Sequence, residues 1–541
     1  MNNSAWELEE RHTILELWTS AVAKAPDTVF VHFLDGDKQH TYAQFDQLTN
    51  RLAHGLLAAG VAQGDRIATL LDNHVDSVAL FIAASKVNAI YVPVNTANKG
   101  EFLRNPLANS GAKLLVAEDK YLSRVDAIRA SLPELVNIYV RGDTASTGAS
   151  VEGLVSLYSD NSAETNIRPK PADIAGIIYT GGTTGPSKGC ALSQNYIANQ
   201  ALRTREMCDP RPGEVNWTCL PLFHLNALVV TILYSVVSNT TAAISPRFSL
   251  SRFWSEIEKS GASVASILGS MIPLIANQAD SEAMHRCKGQ LRMARGAPFP
   301  SELQEIWHKR FGVEIVGAHV YGFTEASFIS MLTYDEAVGA APGSSGKLND
   351  RDFEVMIVND DFKEMPTGET GEVVVRPRRP NVMFEGYWGR PQETLDVLTG
   401  MWLHTGDIGK FDEDNYFYFV DRKKDYLRRR GENISSYEME TVFNQHPDIH
   451  EVAVHAVPSE FTEDDVKVTI VKEAGAALTE HELAHWAIEN VPYYAVPRYI
   501  EFRDELPKNP VGRILKNQLR DDGCTQATWD MEQSDITYSK N

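Results

Sequence analysis

The chain has 541 residues, 43% of them apolar and 23% charged, with a formal net charge of −21. That length exceeds one ordinary core, so two or more domains are expected, and the composition excludes a disordered or fibrous protein. The acidic excess argues against a general surface for nucleic acid or anionic membrane, while leaving room for a local basic pocket.

In chain order, the opening MNNSAWELEERH is polar and acidic where a signal peptide would be basic and then apolar. Thr41 is placed to cap a helix whose apolar residues Phe45, Leu48, Leu52 and Leu56 keep helical spacing, with Gly60 as its stop. A strand is expected at Arg66 to Leu71, a helix from Val75 to Lys86, and strands at Ala89 to Val94 and Leu114 to Ala117. Such alternation predicts parallel or mixed sheets covered by helices. Asp143 to Ser162 reads as a surface loop before a strand at Ile174 to Tyr179.

The most apolar run, Ala227 to Val237, is too short to span a bilayer. Cys190, Cys208, Cys219, Cys287 and Cys524 form no CxxC pair, so neither a disulfide framework nor a zinc site is expected, and a reducing, cytoplasmic location fits. After Lys424 the texture changes to strands at Glu451 to Val457 and Val466 to Val471 and a helix near Glu480 to Glu489. This predicts a small α+β unit, with the boundary near Asp421 to Lys424 and a loose polar tail from about Asp521. The chain ends Ser539-Lys540-Asn541, which falls short of a peroxisomal tripeptide.

The first chemical signal follows the strand ending at Tyr179: Thr180-Gly181-Gly182-Thr183-Thr184-Gly185-Pro186-Ser187-Lys188-Gly189. Glycines let successive N–H groups turn inward, and threonine hydroxyls with a lysine add donors and charge, which suits a nucleotide pyrophosphate. It is no Walker A loop, because Ser187 precedes Lys188 and Gly189 follows it. Gly185-Pro186-Ser187-Lys188-Gly189 also matches the G-x-S-x-G nucleophile elbow, so a serine hydrolase using Ser187 is a reading of a different class.

TGGTTGPSKG resembles the phosphate loop of the adenylate-forming superfamily, which holds acyl-CoA synthetases, peptide-synthetase adenylation domains and luciferases. Its GPSKG ending is similar to crotonobetaine/carnitine-CoA ligases and diterpenoid-type acyl-CoA ligases. The resemblance implies that Thr180 to Gly185 cradle ATP, with Thr183, Thr184 and Lys188 on the β- and γ-phosphates. It continues through further motifs in order. Pro221-Leu222-Phe223-His224 implies a gate at His224 lining the acyl site, with Asn226 as a polar wall. Arg295-Gly296-Ala297-Pro298 resembles the turn under adenine.

Tyr321-Gly322-Phe323-Thr324-Glu325 implies Mg²⁺ on Glu325, the α-phosphate on Thr324 and adenine stacked on Tyr321; a hard cation wants such an oxygen ligand. The stretch from Phe311 to Tyr321 is slightly longer than in the family, which directs Gly317-Ala318-His319-Val320 towards the acyl pocket. Thr405-Gly406-Asp407 implies a ribose held by Asp407 and helped by Arg422, an acidic side chain being the usual chelator of vicinal hydroxyls. Asp421 to Ile434 resembles the hinge segment: Lys424 would be the pivot, Arg428 a cofactor contact and Gly431-Glu432-Asn433 the border of the pantetheine channel.

In Leu506-Pro507-Lys508-Asn509-Pro510-Val511-Gly512-Arg513-Ile514-Leu515-Lys516, Arg513 stands where relatives carry lysine, so either Arg513 or Lys516 serves adenylation. The resemblance therefore implies a large N-terminal domain of layered α/β subdomains, 1–422, and a small mobile α+β C-terminal lid, 423–541. The expected activity is ligation of a small or medium carboxylate to coenzyme A through an acyl-AMP, with ATP, Mg²⁺ and CoA. No nucleic acid and no transmembrane segment are expected, a separate carrier protein is the alternative acceptor, and a homodimer stays open.

Overall fold

The computed structural model describes residues 11–98, 100–143, 151–180, 187–269, 271–296, 299, 301–317, 319–422, 426–429, 432–459, 464–491, 495–509 and 512–537. Two seven-stranded sheets dominate it. The first runs Glu152–Gly153, Asn137–Arg141, Leu114–Glu118, Arg66–Leu70, Ile90–Pro93, Ile174–Thr180, Lys188–Ser193 and is parallel except for its last, antiparallel hairpin. The second runs Ile315–Val316, Met293–Arg295, Val264–Ser266, Val215–Thr218, Thr241–Ile244, Val29–Phe33, Lys38–Thr41, again parallel until its final pair. This is the sheet arrangement that the strand–helix alternation predicts.

Local chemistry sets the elements. Thr41 Oγ1 accepts from the Gln44 amide and the Gln44 side chain accepts from the Thr41 amide, a capping box that starts helix Tyr42–Ala58. Phe45, Leu52 and Leu56 on its inner face are fully buried. Helix Val75–Lys86 is apolar on nearly every side and is buried accordingly, so it lies at the centre of the main core.

A third, antiparallel sheet pairs Phe353–Val358, Gly371–Pro377 and Trp402–Phe411, with Leu398–Thr399 and Phe417–Arg422 against the last. It is fastened to helix Gln194–Cys208 by a buried fork: Arg203 Nε and Nη2 donate to the two oxygens of Asp352 at 2.7 and 2.9 Å. Burial alone would raise the Asp352 pKa, but the Arg203 hydrogen bonds and charge hold it well below the usual carboxylate range. Arg379 and Asn199 also hold Asp352, and Arg203 also pairs with Glu206, so the fork is the centre of a buried network.

Beyond residue 426 the chain builds a separate apolar cluster around Val454, Val466, Val468, Leu483 and Ile500. Strands Ile449–Pro458, Asp464–Lys472, Tyr499–Phe502 and Trp529–Asp530 form its sheet. The stretch 521–537 of the tail expected to be loose is built into the fold. Trp529–Asp530 adds an edge strand, Met531 is buried, and Arg498 Nε grips Asp530 Oδ1 at 3.1 Å. Isolated apolar anchors in an acidic stretch were enough to fix it. Among the described residues no helix is long and apolar enough to cross a membrane.

Candidate active site

The carboxyl ends of parallel strands are where open α/β sheets take ligands, and here they open into a cavity of about 930 Å³. Val215–Thr218 leads to Phe223 and His224, Val264–Ser266 to Ile267 and Leu268, and Met293–Arg295 to Gly296. The other walls are Thr180 and Ser187 from the hairpin of the first sheet, Gly322 and Thr324, and Lys508 and Asn509 from the C-terminal unit. The cavity thus brings together the predicted residues Thr180, His224, Gly296, Gly322 and Thr324. Asn226 also lines it. Burial pushes the His224 pKa below its ordinary value, so the ring is neutral near pH 7.

Thr180 and Lys188 face each other across the hairpin Ile174–Thr180/Lys188–Ser193. The predicted phosphate contacts Gly181, Gly182, Thr183, Thr184 and Gly185 between them lie outside the described residues. Lys188 Nζ lies 3.2 Å from Glu393 Oε2 and 5.0 Å from the centroid of the Tyr387 ring. Ser187 is held by Asn105, whose Nδ2 donates to its carbonyl at 2.8 Å and its hydroxyl at 3.2 Å. Among the described residues no histidine hydrogen-bonds Ser187, so the base that a serine nucleophile requires is missing there.

Strand Val320–Phe323 packs tightly against Ser327–Met331: a Cβ on Gly322 would stand 1.7 Å from the Ser327 carbonyl oxygen, so only glycine fits. Tyr196 holds the intervening turn, donating to the Thr324 carbonyl at 2.8 Å and accepting from the Ser327 amide at 3.1 Å. Ser327 sits at φ 51°, a conformation that this clamp imposes on a non-glycine residue. Within the turn, Glu325 Oε1 accepts the Tyr387 hydroxyl at 2.9 Å. Burial and then the Glu325 charge push the Tyr387 phenol far above its ordinary range. The same two causes raise the adjacent Cys190 thiol, which stays protonated and inert.

Tyr321 donates to Asp407 Oδ2 at 2.7 Å, and its ring lies 4.6 Å from that of Phe417. Asp407 is buried and follows Gly406, whose φ of 68° suits glycine. The Asp407 amide donates to Thr405 Oγ1 at 3.0 Å, which fixes the loop. Arg422 is the cross-strand neighbour of Asp407 in backbone register. The side chains of Arg422, Arg428, Glu432 and Asn433, together with residues Ala297, Pro298, Ala318, Lys424 and Gly431, lie outside the described set.

Neither Arg513 nor Lys516 lines the cavity. Lys516 Nζ donates to Ser436 Oγ at 2.9 Å and lies 3.0 Å from Glu440 Oε1, inside the C-terminal unit. Arg513 is exposed on the turn whose Asn509 Oδ1 accepts its amide. The sequence reading missed Tyr387, Glu393 and Asn105. Only Tyr387 had a local signal, an aromatic pair bracketed by glycines in Gly386-Tyr387-Trp388-Gly389.

The chain resembles proteins of known activity along most of its length. It is 28% identical over 493 residues to a crotonobetaine/carnitine–CoA ligase of Citrobacter koseri, covering 89% of this chain and 93% of that one. It is 29% identical over 523 residues to the long-chain-fatty-acid–CoA ligase FadD13 of Mycobacterium tuberculosis, covering 96% and 98%. In fold it matches the anthranilate CoA ligase AuaEII in complex with anthranoyl-AMP, with a TM-score of 0.82, 23% identity and coverage of 94% and 97%. It also matches ATP-bound MatB from Rhodopseudomonas palustris, with a TM-score of 0.81, 24% identity and coverage of 94% and 99%. Residues 438–513 match the model of the AMP-binding enzyme C-terminal domain. Residues 18–388, well over half of the chain, match the AMP-binding enzyme model, and the protein belongs to that family.

Proposed function

We propose that the chain is an ATP-dependent acyl-CoA ligase. The observation that carries this reading is the single cavity shared by the phosphate hairpin at Thr180 and Ser187, the Thr324 turn, the apolar chamber at Phe223 and Ile267, and Lys508 of the C-terminal unit. One space of this kind can seat a nucleotide triphosphate beside an acid. The carboxylate attacks the α-phosphorus of ATP and displaces pyrophosphate. The thiolate of CoA then attacks the acyl carbonyl, forming the thioester and releasing AMP.

In this reading the backbone between Thr180 and Lys188 cradles the phosphates, Thr324 takes the α-phosphate and Lys188 moves from Glu393 to the phosphates. Asp407 grips the ribose under the control of Tyr321, and His224 gates the acyl chamber. Fixed donors around the developing charge are the main contribution expected of the protein. Among the described residues no cluster of three or more His, Cys, Asp or Glu is set for a resident metal. Magnesium is commonly bound by one or two carboxylates together with substrate phosphates and water. The single carboxylate of Glu325, oriented by Tyr387, fits an ion that arrives with ATP. Residues from 423 onward, with their own apolar cluster, serve as the lid that re-forms the site between half-reactions.

The test is CoA-dependent AMP release and ATP–pyrophosphate exchange over a panel of carboxylic acids. Exchange with any acid and thioester formation with CoA support the ligase. AMP release that needs a carrier protein in place of CoA moves the acceptor, and neither activity with any acid removes the reading.

A further inference from the structure

One wall of the cavity carries an ionic group with no carboxylate partner among the described residues. Arg295 ends strand Met293–Arg295 on the sheet opposite the phosphate hairpin, lines the cavity and is 6% exposed. Its Nη2 donates to Ser266 Oγ at 2.6 Å, its Nη1 lies 3.2 Å from Cys208 Sγ, and its Cζ lies 5.1 Å from the centroid of the Tyr234 ring. None of these partners is a carboxylate: Ser266 offers a hydroxyl, sulfur is a weak acceptor, and burial keeps the Tyr234 phenol far above its ordinary range. The Nε is buried and has no hydrogen-bond partner among the described residues. Among the described residues no carboxylate pairs with this guanidinium, whereas nearby Arg292 takes Glu214 Oε1 at 2.8 Å.

A second orphan lines the same cavity. Gln200, on helix Gln194–Cys208, is also 6% exposed, and its buried Oε1 has no partner among the described residues. Buried amides and guanidinium ions are nearly always satisfied, and an unpaired buried charge costs several kcal/mol. Two such groups lining one ligand cavity point to a ligand that completes them. A carboxylate does so: it accepts from Nε and from the Nη2 hydrogen on the same side of the guanidinium, in the side-on fork that Arg203 makes with Asp352, while the Gln200 amide turned by a flip presents Nε2.

Resting on the ligase reading above, we propose that the acid taken by this chain is a dicarboxylate. One carboxylate is adenylated, and the second is held by Arg295 and Gln200. A site built on unpaired polar groups rejects a ligand that lacks their partner far more strongly than it rejects a change in apolar length.

The experiment compares, by CoA-dependent AMP release, straight-chain α,ω-dicarboxylic acids with their monomethyl esters and with monocarboxylic acids of the same carbon count. The diacid should exceed both in kcat/KM by about a hundredfold or more. Arg295→Met should collapse that ratio mainly through KM for the diacid. Gln200→Glu, which sets a like charge beside the second carboxylate and leaves Arg295 in place, should collapse it as well, with near-UV circular dichroism checking that each variant is folded. Equal use of monoacid and diacid by the unmodified enzyme, or a ratio that survives both substitutions, overturns the dicarboxylate proposal alone. Absence of AMP with every acid overturns the ligase reading, and this proposal with it.

Discussion

Tyr321 donates its hydroxyl to Asp407 Oδ2 over 2.7 Å, joining two motifs that lie 86 residues apart in sequence. The bond fixes the carboxylate on the rim where strand Trp402–Phe411 meets Phe417–Arg422. Tyr321→Phe keeps the ring against Phe417 and removes this bond. Hydrogen bonds to charged groups contribute about 1.5–3 kcal/mol, so KM for ATP should rise by about tenfold or more with kcat less affected. Asp407→Asn should raise it further. Steady-state kinetics at saturating acid provide the check, and an unchanged KM for ATP in both variants removes Asp407 from the ribose site.

Glu325 and Tyr387 form the second such pair. Glu325→Ala should abolish ATP–pyrophosphate exchange. Tyr387→Phe leaves the carboxylate present but unoriented, and exchange should fall by roughly tenfold and recover in part at raised Mg²⁺. Exchange that is insensitive to Mg²⁺ in Tyr387→Phe would show that the phenol does not act through a cation on Glu325.

What was legible in the sequence is what local chemistry dictates. The Thr41 cap, the apolar spacing of Phe45, Leu52 and Leu56, and the glycine–threonine hairpin all announce themselves within a few residues. The Glu325–Tyr387 pair does not, because its partners stand 62 residues apart and neither side chain marks the other. Arg295 was readable as part of a glycine–proline turn, but its burial against Ser266 and Cys208 exists only once helix Gln194–Cys208 packs on the parallel strands Val264–Ser266 and Met293–Arg295. The edge strand Trp529–Asp530 was hidden by its acidic surroundings, since pairing with Tyr499–Phe502 is a tertiary event.

The choice between Arg513 and Lys516 turns on where each side chain stands relative to the cavity. Lys516 is committed to Ser436 and Glu440, and Glu440 Oε1 also accepts the Val454 amide at 2.7 Å. Arg513 is carried exposed on the turn next to cavity residues Lys508 and Asn509. We expect Arg513→Ala to slow acyl-AMP formation by about a hundredfold or more without changing the unfolding midpoint. Lys516→Ala should instead lower stability by roughly 1–3 kcal/mol, the cost of leaving Glu440 partly unsatisfied. Single-turnover adenylation and urea denaturation on both variants distinguish them, and the reverse pattern would assign adenylation to Lys516.

His455 gives the C-terminal unit a pH dependence of definite sign. The ring is fully buried on Ile449–Pro458, with Nε2 3.2 Å from Thr469 Oγ1. Burial first, and then the positive charges of Lys467, Arg520 and Lys516, bring its pKa from 6.5 to about 4. Between those values the unfolded chain takes up a proton that the folded chain refuses. Stability is therefore fully present above about pH 6.5 and falls as pH drops towards 4, by on the order of 3 kcal/mol in total. Glu501 behaves differently: burial opposes its ionisation, but Lys467, Thr528 and Arg503 hold its pKa at about 2, so its contribution is lost only below the usual 4.5. Urea midpoints of the full chain between about pH 7 and pH 5 carry this slope together with that of the partly buried His224, His319 and His40, and His455→Gln should remove its share. A slope undiminished in the variant would assign the titration to the other histidines.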